Sequence, residues 1–116
     1  MKPTLNEQQF LEQFANADFV MKTQAQIAKD FDRLGYCSHP SLSSQRMSLE
    51  ELNACVGEML STIIQLGETQ TLQLLYTIDV PQSKFLALTK DPEFIRKASA
   101  LIIRREALKV YLRSIY

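Results

Sequence analysis

Tryptophan is absent from this 116-residue chain, glycine occurs three times and proline four times. So little turn chemistry argues against a fold of many short strands and tight turns, and favours a few long elements. Gly35, Gly57 and Gly67 stand too far apart in the chain to form a glycine-rich phosphate cradle. Cys37 and Cys55 are the only cysteines, too few for the disulfide framework of a small secreted domain, so a reduced, cytoplasmic setting is expected. No apolar run approaches the roughly 18 residues that cross a bilayer, and Met1 to Ala15 is too polar for a secretory leader. The chain should therefore be soluble, with no membrane partner.

Net charge is also missing, but the balance is uneven along the chain. Residues 90–116 hold seven Lys and Arg against three acids, leaving six against ten for residues 1–89. A basic arm for nucleic acid is one reading. Nucleic acid is nevertheless disfavoured, because a neutral molecule exerts no long-range pull on a polyanion; packing of the last helix on acidic helices of the same chain is the simpler reading.

What is present is helix signalling. Asn6 and Gln9 can form a capping box, and Phe10, Phe14, Ala17, Met21, Ala28 and Phe31 then follow at helical spacing, interrupted by Gln24, until Gly35 offers a left-handed stop. Asn16 and Asp18 are weak helix formers, yet neither is glycine or proline, so one continuous helix of about 43 Å is expected. Residues 36–46, serine-rich and without apolar period, predict a loop. Ser48 and Glu51 make a second capping box ahead of Leu52, Val56, Met59, Ile63 and Leu66, and Gly67 should end that helix. Thr69 is then a candidate cap for a helix through Tyr76, with a short strand over Thr77 to Val80 as the alternative. Asp79 with Pro81 predicts a further short helix to about residue 89.

The stretch from Asp91 carries the strongest combination of signals. Asp91 is a good N-cap and Pro92 suits a first helical position. Phe94, Ala98, Leu101, Leu108, Leu112 and Ile115 then form an apolar seam interrupted by Arg105, while Ala100, Ile103, Ala107, Val110 and Tyr111 form a second apolar face. One neighbour cannot cover both. The whole pattern predicts an all-α fold, a single helical domain over residues 1–116. It should be a small helical bundle of three long helices near 6–34, 48–66 and 91–115, plus one or two short connecting helices, with the first and last helices as its spine.

The chemistry-bearing residues are few. Cys37, His39 and Cys55 lack the paired spacing and fourth ligand of a structural zinc site, so no metal and no cofactor are expected. His39 is the only histidine, and the serines beside it lie in no nucleophile motif, so no catalytic residue is assigned. The carboxylates Glu50 and Glu51, or Asp30 and Asp32, read as solvated helix residues. Phe10, Phe14 and Phe31 could line a ligand pocket but fit a core better. Arg105, Lys109 and Arg113, four residues apart, form a basic ridge that is the candidate anion- or partner-binding site; the plainer reading is a solvated face pairing with Glu12, Asp18 or Glu58. Ile103 and Val110 are the candidate interface residues. These features predict a non-catalytic helical interaction or scaffold module, with a protein partner or self-association. The alternatives are nucleic-acid or anion contact through the basic C-terminal helix, and a small-ligand-binding or enzymatic pocket within the bundle.

Overall fold

Capping chemistry sets most of the helix starts. Residues 5–36 and 38–115 are described by a computed structural model, and they contain seven helices and no strand, an all-α fold. These are α1 (Glu7–Phe14), α2 (Ala17–Arg33), α3 (Ser41–Ser44), α4 (Leu49–Leu66), α5 (Glu68–Ile78), α6 (Gln82–Ala87) and α7 (Phe94–Ile115). Both expected capping boxes form. Asn6 Oδ1 accepts from the Gln9 amide at 2.8 Å and Gln9 Oε1 from the Asn6 amide at 3.1 Å. Ser48 Oγ accepts from Glu51 N at 3.1 Å and Glu51 Oε1 from Ser48 N at 3.0 Å.

The first long helix is not continuous. Ala15 closes α1, and Asn16 turns its side chain back to accept from the Phe19 amide at 3.2 Å, which starts α2. Size favours the break, since an unbroken helix of about 43 Å exceeds the molecule's longest dimension of 35 Å. Phe14 packs edge-on against Phe19 across the corner, with ring centroids 6.0 Å apart. The break resets the helical phase, so Ala17 is exposed and Met21 half-buried, while Val20, Gln24, Ile27 and Phe31 take the buried line.

Further differences lie at the connections. The 36–46 segment contains the short α3, whose Leu42 is fully buried. Gln24 holds this segment in place: its Nε2 donates to Leu42 O and Gln45 O at 3.1 and 3.0 Å, and its Oε1 accepts from Met47 N at 2.8 Å. Gly67, at φ 139°, ends α4 as expected, but α5 starts at once at Glu68, without a Thr69 cap, and runs on through Thr77 and Ile78. Asp79 does not start a helix. It closes α5 in the left-handed region, at φ 68°, a conformation that aspartate tolerates better than most residues. Asp91 does accept from the Glu93 amide at 2.8 Å, although regular helix begins only at Phe94.

The connecting helices thus outnumber the one or two expected, and the spine differs as well. α7 packs most extensively against α4, then against α2. A Cβ added at Gly57 of α4 would stand 3.2 Å from Ile95 Cγ2 and 3.4 Å from Ser99 Oγ, so α4 and α7 approach closely at a point where one side is a glycine and the other a serine. Among the described residues, no helix is long and apolar enough to cross a membrane.

Candidate functional site

The main face that α7 buries is a stripe of three- and four-residue steps, Ser99, Ile102, Ile103, Glu106, Ala107 and Val110, and Ala98 and Leu108 are buried outside it. Two of the six are polar, which is why apolar periodicity points elsewhere. Ile103 and Val110, the candidate interface residues, are 1% and 7% exposed within a single chain. Their face is covered by the chain's own helices and needs no second copy to shield it.

Glu106 is fully buried, and so is Asp30 on α2, which the sequence reading places in solvent. Lys109 Nζ lies 2.9 Å from Asp30 Oδ2 and also 2.9 Å from Glu106 Oε1. It donates to Asp30 and, at 3.3 Å, to the Thr77 carbonyl of α5. Towards Glu106 it is close without hydrogen-bond alignment, and neither Glu106 oxygen accepts a hydrogen bond. Gln26 Nε2 donates to Asp30 Oδ1 at 3.1 Å, and Gln26 Oε1 accepts from Arg113.

An ionised carboxylate without donors at zero exposure is costly. Burial, together with the neighbouring Asp30 carboxyl and against the pull of Lys109, pushes Glu106 up to about 8. Burial also acts upward on Asp30, but hydrogen bonds from Glu106, Lys109 and Gln26 outweigh it and hold the carboxyl below its ordinary value. The arrangement favours the protonated form of Glu106 beside an ionised Asp30 whose charge Lys109 balances. Chemically, this can hold a proton. Asp30 and Glu106 are 1% and 0% exposed, so no substrate reaches them in this conformation.

The expected basic ridge is therefore engaged within the chain. Lys109 joins the buried carboxyls, Arg113 bonds Gln26, and Arg105 pairs with Asp79. The partners are not Glu12, Asp18 or Glu58. The sequence reading missed Glu106 altogether; its signal is an acid set three residues before Lys109, on the line that Ile102, Ile103 and Val110 define.

The opposite side of α7 is partly open. Leu101, Leu108 and Leu112, part of the seam expected to face a partner helix, line a groove of about 740 Å³ whose far wall is Leu5, Val80 and Pro81. Leu101 and Leu112 are half-buried, Leu108 between them is buried, and Ile115, at the end of the same seam, is 52% exposed. Cations line this groove. Arg104 donates to Glu7 and to the Leu5 carbonyl and stacks 4.4 Å over the Phe10 ring, while Lys97 pairs with Asp91 at 2.6 Å.

His39 is set by α4: its amide lies 3.4 Å from Met59 Sδ, and its Nε2 is 3.9 Å from Glu58. Cys55 is a buried free thiol, pushed up first by burial and then by Glu58. Cys37 lies outside the described residues, and among those described no group of three or more His, Cys, Asp or Glu side chains converges as a metal site. No family model, curated protein or solved structure matches this chain, so the reading of the site rests on its own residues.

Proposed function

We propose that this protein is a helical interaction module that binds a protein partner along the outer row of α7. One observation carries the reading: Leu101 and Leu112, both half-buried, share one face of the central helix with the buried Leu108, and together they line an open groove. From Leu101 to Leu112 the row extends about 16 Å at 1.5 Å per residue, room for roughly three turns of a partner helix laid alongside. The ion pairs on the rim are partly exposed, and solvent-exposed pairs contribute only about 0–1 kcal/mol, so a partner's polar groups can replace them at modest cost. Arg105 and Lys109 already meet carboxylates of their own chain, which supports a protein partner over nucleic acid.

The test is recovery of bound proteins from cells with the wild type and with the double variant Leu101→Glu, Leu112→Glu. A partner retained by the wild type and reduced about tenfold or more in the variant, with helical content unchanged, supports the reading. A partner held equally by both places the contact elsewhere.

A further inference from the structure

The buried polar cluster on the other side of α7 is larger than packing needs, since an apolar residue at position 106 would complete the stripe of Ile102, Ile103 and Val110. It joins three elements at one point. Asp30 comes from α2, the Thr77 carbonyl from α5, and Glu106 and Lys109 from α7. We propose that Asp30, Glu106 and Lys109 form a proton-operated clasp, which holds α7 against α2 and α5 while Glu106 keeps its proton and loosens when that proton leaves.

Charges and donors balance in only one of the two protonation states. With Glu106 protonated, Asp30 and Lys109 cancel, and the Glu106 hydroxyl has the Asp30 carboxylate as acceptor. With Glu106 ionised, two buried carboxylates share a single ammonium, and the two Glu106 oxygens lack aligned donors. Lys109, bonded to Asp30 and the Thr77 carbonyl and 2.9 Å from Glu106 Oε1, is then the single cation that both carboxylates share. The surrounding charges offer no substitute. Arg113 is occupied by Gln26 and Arg105 by Asp79. α4, the other main neighbour of α7, contributes Cys55 as its only buried titratable group. The remaining titratable residues of α2 and α5, namely Asp18, Lys22, Lys29, Asp32, Arg33, Glu68 and Tyr76, are all exposed.

The sign follows from linkage. Glu106 is raised from an ordinary 4.5 to about 8, so between those values the folded protein keeps a proton that the unfolded chain has released. Stability is full below the lower value and is lost as pH rises towards the upper one. The experiment is denaturant unfolding of the wild type and of Glu106→Gln from about pH 5 to about pH 9. For the wild type, the unfolding equilibrium constant should rise by up to about tenfold per pH unit and then level off; for Glu106→Gln, which keeps the shape and a donor without a titrating proton, this rise should disappear. Parallel pH profiles overturn the proposal. Should Glu106→Gln not fold, carbon-13 NMR of the wild-type glutamate carboxyls decides: one carboxyl titrating well above the others supports the clasp, and all titrating in the ordinary carboxylate range removes it.

Discussion

Two side chains, the buried Gln24 and the half-buried Lys109, show how much of this structure depends on polar contacts made inside it. Gln24 interrupts the apolar pattern of the first helical stretch, yet all three of its hydrogen bonds serve the segment from Leu42 to Met47. Gln24→Ala leaves two carbonyls and an amide without these partners, beside a cavity. We expect a loss of about 2–4 kcal/mol in denaturant unfolding, and a change below about 0.5 kcal/mol would show that water replaces the amide. Lys109→Met takes the cation away from two buried carboxyls and should cost about 3 kcal/mol or more near neutral pH. That penalty should shrink in acid. Asp30 is held below its ordinary value in the wild type, so the stability it contributes through Lys109 is present above the unfolded-chain value of 3.8 and is lost as pH falls through the folded value. A penalty equally large in acid would assign Lys109 a packing role alone.

At the scale of elements, the start signals at Asn6, Ser48 and Asp91 were legible, while those at Thr69 and Asp79 failed. Asn6, Ser48 and Asp91 each hydrogen-bond backbone as their residue types predict, because a cap is a local contact three residues long. The break at Asn16 was only half legible: its weak helix propensity is visible, but the dimensions of the molecule that make the corner necessary are not. Asp79 misleads because the same short carboxylate that caps a helix start also tolerates the left-handed turn that closes one. The inner stripe of α7 was hidden by Ser99 and Glu106, whose partners lie on α4 and α2, remote in the chain. The outer row of Leu101, Leu108 and Leu112 was visible as a seam, although nothing local shows that Leu108 is buried while Leu101 and Leu112 stay half-covered. Two substitutions separate the sides of α7. Leu101→Glu with Leu112→Glu should lower stability by no more than about 2 kcal/mol, whereas Ile102→Glu should cost more than about 4 kcal/mol. Where α4 and α7 approach, Gly57→Leu meets Ile95 and Ser99 and should cost about 1–3 kcal/mol, with the helices forced apart. Stability unchanged by that substitution would mean the contact is looser than 3.2 Å implies.

For the whole molecule, a radius of gyration of 13.5 Å matches the roughly 13 Å expected of a chain this long wrapped around one core. α7 runs through it with its inner side committed to α2 and α4 and its outer side only partly covered. Light scattering should accordingly show no dimer formed through Ile103 and Val110, and Val110→Glu should unfold the protein; a dimer converted by that change into a folded monomer would contradict this burial. The central claim, that the outer row of α7 is the contact surface, is tested most directly by a photo-reactive residue placed in turn at positions 101, 112 and 66. Leu66 is an exposed leucine at the end of α4, away from the groove. Irradiation in cells should give the same discrete adduct from positions 101 and 112 and none from 66. Adducts absent from 101 and 112, or equally strong from 66, would contradict the account.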